Sequence, residues 1–160
     1  MNISEHSRVW IYQSNRVLTP VEEQQIQQKL DDFTAQWQAH GHQLLAKGEI
    51  RHQRFVILSV DEQQAGATGC SIDKSVKLMK ELEEQFNIDL FDRFQIAYRD
   101  GEHIRSCNRQ EFEDLLRSGQ IHPDTTIVFN NMVATRKELH SNWEVPMKNS
   151  WHSRVFAEYI

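Results

Sequence analysis

Residues 54–60, RFVILSV, are apolar on both faces of an extended chain, and nothing else in the sequence constrains the fold as tightly. A short unbroken run of Val, Ile, Leu and Phe reads as a central strand, because an edge or one-sided strand would alternate apolar and polar positions. A small-residue loop, AGATG, follows, and then an amphipathic segment with Ile72, Val76, Met79, Leu82 and Phe86 on one stripe. Residues 55–86 thus predict strand, glycine loop and helix, with Ser71 as the N-cap.

The flanking elements follow from the same signals. RVWIYQSNR at 8–16 is β-branched and aromatic and predicts a strand. Thr19, Pro20 and Glu22 supply an N-cap, a first helical residue and a returning carboxylate, and Ile26, Leu30, Phe33 and Trp37 recur at helical spacing up to a C-cap at Gly41. HQLLAKGEIR and RFQIAYR predict further strands, which makes the order βαββαβ, the order of a ferredoxin-like split βαβ fold. Beyond a turn at Asp100 and Gly101, EHIRSC predicts a strand and RQEFEDLLRSG a helix, capped by Asn108 with Glu111 and closed by Gly119. TTIVFNN predicts a strand, and Thr135 with Glu138 opens another helix at TRKELHSNW. The expected fold is α+β: a ferredoxin-like antiparallel core over 1–99, and a C-terminal βαβα extension over 100–160 packed on it as one compact unit.

The formal charge of −5 disfavours nucleic acid and acidic membrane surfaces as partners, since both demand a field of Lys and Arg. No apolar run approaches the roughly 20 residues of a membrane span, and MNISEHSRVW lacks the pattern of a signal peptide, so a cytoplasmic protein is expected. Cys70 and Cys107 are read as thiols, consistent with that compartment.

The chemistry-bearing residues gather at the loop before the second helix. Amides at a helix start lack intrahelical partners and attract anions, so Gly66, Gly69, Ser71, Lys74 and Ser75 form a candidate site for a small anion. Cys70, at the same helix start and about a turn from Lys74, is the candidate catalytic nucleophile. His40, His42 and His52 approach metal-ligand spacing without completing a ligand set, so neither a metal nor a cofactor is expected. Asn130 and Asn131 read as a turn, and Pro146, Trp143 and Trp151 as an aromatic tail that anchors the C-terminus.

SRVWIYQSNR, GATGCSID, DLFDRFQIAYRDGE, TIVFNN and WEVPMKNSWH together resemble a family of short bacterial proteins, some of which carry the name ABC transporter ATPase. That name implies nucleotide binding. The residues do not supply its machinery: AGATGCSIDKS has no Gly-Lys-Ser phosphate loop, and no LSGGQ-type signature occurs. Residues 98–131 are similar to small GYF-like modules, a resemblance that implies protein or peptide binding, although the aromatic GYF triplet is missing. The favoured expectation is a noncatalytic binding or interaction protein with a protein partner or a small anionic ligand. The alternatives are a thiol-dependent enzyme using Cys70 and a nucleotide-binding protein. A ferredoxin-like sheet would also admit a homodimer.

Overall fold

The computed structural model describes residues 3–160 and is mixed α+β with antiparallel sheets. Contacts divide the chain into two compact units. The first runs to Phe91 and takes back Ala134–Lys137; the second comprises Asp92–Val133 and Glu138–Ile160.

In the first unit, β1 (Arg8–Gln13) leads to α1 (Pro20–Gln36), whose start is fixed as its sequence dictates. Thr19 Oγ1 accepts from the Glu22 amide at 3.1 Å while Glu22 Oε1 accepts from the Thr19 amide at 2.9 Å. Gly41 does not close this helix. Residues β2 (Gln38–Ala39) and β3 (His42–Gln43) form a small hairpin whose two turn residues, His40 and Gly41, have φ of 52° and 77°. Two left-handed residues in a two-residue loop make a type I′ turn, which matches the twist of a hairpin. A three-residue connection, His52 and Gln53 (φ 56° and 55°) followed by Arg54, joins β4 (Leu45–Arg51) to β5 (Phe55–Asp61). The helix α2 (Gly69–Phe86) completes this part.

The sheet has the order β1-β5-β4, with β5 antiparallel to both neighbours. The strand read as central is central, and Phe55 through Val60 are all buried. Val56, Leu58 and Val60 join Ile26 and Leu30 of α1 and Leu78, Met79, Leu82 and Phe86 of α2 in one core. Gly48 permits the approach of α1, since a Cβ there would lie 2.7 Å from Leu30 Cβ. Arg16 ties three segments together, forming a forked pair with Glu22 at 2.8 and 2.6 Å and donating to the Phe86 carbonyl at the end of α2 at 2.7 Å.

The complete four-stranded ferredoxin-like sheet does not form. Three of its strands are present with the expected order and direction, β1-β5-β4 with antiparallel neighbours, but the fourth strand that such a fold sets beside β1 is not β6. The outer edge of β1 is taken by residues 134–135, through the Arg8–Thr135 bridge and a 2.9 Å bond from the Val9 amide to the Ala134 carbonyl. The expected fourth strand, β6 (Ile96–Asp100), turns tightly at Gly101–Glu102 and pairs with β7 (His103–Cys107). Closing so short a loop sacrifices little chain entropy, so the local partner prevails over a distant one. The division of the chain therefore falls before β6 rather than after it.

The second unit continues with α3 (Arg109–Ser118), which has the expected Asn108–Glu111 box and a left-handed Gly119 cap, followed by β8 (Ile127–Phe129). The helix α4 (Arg136–Ser141) begins in the segment assigned to the first unit and continues into the second from Glu138, and β9 (Glu144–Pro146) and α5 (His152–Val155) follow, with short 3-10 turns at Met147–Asn149 and Ala157–Tyr159. The sheet order is β7-β6-β8-β9, antiparallel throughout. Its core gathers Ile96, Tyr98, Cys107, Phe112, Leu116, Val128, Met147 and Phe156. Among the described residues no helix is long and apolar enough to cross a membrane.

Candidate functional site

The sequence-predicted anion loop is engaged mostly with itself. The N-cap of α2 is Thr68 rather than Ser71, so the helix starts three residues earlier than expected. Ser71 is the third helical residue and completes a reciprocal box: its Oγ accepts from the Thr68 amide at 2.7 Å and Thr68 Oγ1 accepts from the Ser71 amide at 3.2 Å. A serine here performs the part that glutamate performs at Thr19. Glu62 Oε2 accepts from the Ala67 amide at 2.9 Å, so a carboxylate of the chain already occupies that donor. Of the amides from Ala67 to Ser71, those of Gly69 and Cys70 alone lack a partner among the described residues.

The side chains named with this loop do not converge. Ser71 and Ser75 are buried, the Ser75 hydroxyl donates to the Ile72 carbonyl at 2.6 Å, and the Ser71 carbonyl accepts from Trp37 Nε1 at 2.8 Å. Cys70 and Lys74 are exposed. The Cys70 thiol makes no hydrogen bond among the described residues, so no base is held against it. Neither Gly66 nor Gly69 has a positive φ, and a Cβ at Gly69 would meet nothing within 4 Å. The glycines are therefore not required by the backbone.

His40 sits in the type I′ turn of the small hairpin, His42 on its second strand and His52 in the connection between β4 and β5. Among the described residues no group of three or more His, Cys, Asp or Glu side chains could hold a metal ion. Cys107 is a free, buried thiol, pushed up to about 12 by burial and secondarily by Glu111, and so is inert as a nucleophile at neutral pH. One other charge cluster is internal to the first unit. Glu49 receives Arg51 at 2.7 Å, Arg136 at 3.2 Å and Lys47 at 3.3 Å, and Arg136 also donates to Ser59 at 2.9 Å. Burial favours the neutral acid, but Arg136, Arg51 and Lys47 outweigh it and hold Glu49 below the usual carboxylate range. That cluster satisfies itself and offers nothing to a ligand.

A different arrangement exists in the second unit. Arg93, Asn130, Met132, Lys148, Ser153, Arg154 and Val155 line a recess of about 740 Å³ together with Asn149, Ser150 and Trp151. Each wall has a local cause. Asn130 Oδ1 accepts from the Met132 amide at 3.1 Å and the Asn130 amide donates to the Trp143 carbonyl at 2.7 Å, an Asx turn that presents Met132 at its tip. Trp143 Nε1 donates to Asn131 Oδ1 at 2.9 Å and holds the turn from behind. Across the recess, the Ser150 carbonyl accepts from the Ser153 amide and hydroxyl at 3.0 and 2.8 Å, which starts α5 and places Arg154 and Val155 on its exposed side.

Three cations line this recess. Lys148 lies 3.8 Å from Asp124, both well exposed, and such a pair contributes little. Arg93 and Arg154 have no ion-pair or hydrogen-bond partner for their side chains among the described residues. Beneath them, Trp151 stacks on His152 at 3.8 Å, and His152 is buried, packed near Phe112, and bonded through Nδ1 to Ser150 Oγ at 2.7 Å. Burial lowers His152 to about 4, so it is neutral at physiological pH. Trp151 Nε1 is buried with no hydrogen-bond partner, an unpaired donor that burial makes unfavourable.

The sequence reading placed Trp151 in an anchoring tail and Asn130 in a turn, and both descriptions hold locally. It did not join them to Arg93 or Arg154, because no periodicity links residues that far apart in the chain. Compared with protein-family models, curated proteins and solved structures, the chain matches none of them.

Proposed function

We propose that the protein is a noncatalytic binding module of the cytosol that recognises an anionic ligand at the recess of its second unit. The observation that carries this reading is the pair of arginines, Arg93 and Arg154, which line one recess with Lys148 and have no carboxylate partner of their own. Guanidinium groups bind carboxylates and phosphates through short, forked, charge-assisted bonds, and the Asn130 and Ser153 side chains add polar contacts at the same wall. The loop at 66–75 is the less suited of the two places, since Glu62, Ser71 and Thr68 already fill most of its donors. The exposed Cys70 leaves a thiol-dependent enzyme as the competing reading.

Thermal-shift titration with inorganic phosphate and with acetate tests the proposal, because a ligand that binds only the folded state raises stability in a saturable way. The expected result is stabilisation that is lost in Arg93→Ala/Arg154→Ala and kept in Lys74→Ala. Stabilisation lost in Lys74→Ala and kept in the double variant would return the site to the 66–75 loop. Turnover that vanishes in Cys70→Ala would replace a binding module with an enzyme.

A further inference from the structure

We infer, resting on that reading, that the ligand is an amphipathic carboxylate, a small molecule whose acid head meets Arg93 and Arg154 and whose aryl or acyl body lies against Met132 and Val155. The volume is the first ground. The recess is open to solvent and spans about 740 Å³, which leaves most of the space unused around an inorganic anion. The second ground is the composition of the wall. Met132 is 76% exposed and Val155 41% exposed, and both line the recess that holds the three cations. Exposed single apolar residues are ordinary, but two that share a concave surface with unpaired guanidinium groups match a ligand with one charged end and one apolar end. Methionine suits this use, since its unbranched, polarizable side chain adapts to a flat or flexible partner.

The third ground is Trp151. Its indole lies in the wall, stacked on a neutral His152, and its Nε1 is the one buried side-chain donor without a partner among the described residues of this unit. A ligand that settles on this wall changes the surroundings of the indole, so Trp151 reports on occupancy. The head is selected by charge and the body by apolar contact, and neither part alone accounts for the recess.

Titration of the full chain with 3-phenylpropionate, followed by tryptophan emission and by calorimetry, tests the inference against acetate, inorganic phosphate and the neutral 3-phenylpropanol. The expected result is saturable binding of 3-phenylpropionate at least about tenfold tighter than that of acetate or of 3-phenylpropanol. Arg93→Ala/Arg154→Ala should abolish it, Met132→Ala should weaken it several-fold while leaving acetate unchanged, and Trp151→Phe should remove the emission change. Acetate or phosphate binding as tightly as 3-phenylpropionate would overturn the amphipathic ligand and leave the anion site standing. Equal binding of 3-phenylpropanol, or no binding by any of the anions, would overturn both. All four substituted side chains except Trp151 are exposed, so loss of binding by unfolding is separable by circular dichroism.

Discussion

At the scale of single residues, the start of α2 shows how the same chemistry can be read in two ways. Ser71 was expected as a cap with amides free around it; in the structure it sits one turn inside, bonded both ways to Thr68. The box at Thr19 was legible because glutamate three residues on is a strong signal, whereas serine in that position is a weak one. Gly69, which resembled a phosphate-loop glycine, occupies a first helical position where a Cβ meets nothing. Gly69→Ala should therefore raise stability by about 0.5 to 1 kcal/mol, through the lower entropy of the unfolded chain, and urea denaturation measures it. A loss of stability would show that the loop needs glycine.

His152 provides a second test at this scale. Its folded value of about 4 lies below the ordinary 6.5, so the unfolded chain binds the proton more readily. The contribution of neutral, buried His152 is complete above the unfolded value and is lost as pH falls through the window from about 6.5 to about 4. Between about pH 7 and about pH 5 the free energy of unfolding should fall by about 2 kcal/mol more in the native protein than in His152→Phe. Parallel pH profiles for the two proteins would show that the imidazole is not held neutral.

At the scale of elements, periodicity and caps located most helices and strands, and failed where pairing decided the outcome. RFVILSV was recognisable as central because both of its faces are apolar, and α3 because Asn108, Glu111 and Gly119 mark both ends. The hairpin that joins β6 to β7 was legible in the turn after Asp100, but the absence of β6 from the β1 sheet was not, because its strand pattern is equally suited to both sheets. Likewise the His40–Gly41 turn resembled a helix C-cap because both require a left-handed residue. The packing of α1 on β4 depends on the missing side chain at Gly48. Gly48→Ala should destabilise the protein by about 1 to 3 kcal/mol, since the added methyl meets Leu30 Cβ at 2.7 Å within a closed core. Denaturant midpoints measure this, and an unchanged midpoint would mean that α1 moves away freely.

At the scale of the whole molecule, the charge of −5 and the cation-lined recess pull in opposite directions. The overall field repels anions, so binding must come from Arg93, Arg154 and Lys148 acting at short range. Exposed charges of this kind are screened, and raising salt from about 0.05 to about 0.5 M should weaken anion binding several-fold. Insensitivity to salt would point to apolar contact as the whole of the affinity. The recess was hidden in the sequence for a physical reason: its walls come from the chain before β6, the turn after β8 and the start of α5, which only the fold brings together.

The most direct measurement is a two-dimensional amide NMR titration of the uniformly 15N-labelled protein with 3-phenylpropionate. The account predicts that shifts concentrate at Arg93, Asn130 to Met132 and Lys148 to Val155, and that the amides of Gly69 and Cys70 stay in place. Shifts confined to Gly66 through Ser75, or none at saturating concentrations, would contradict it.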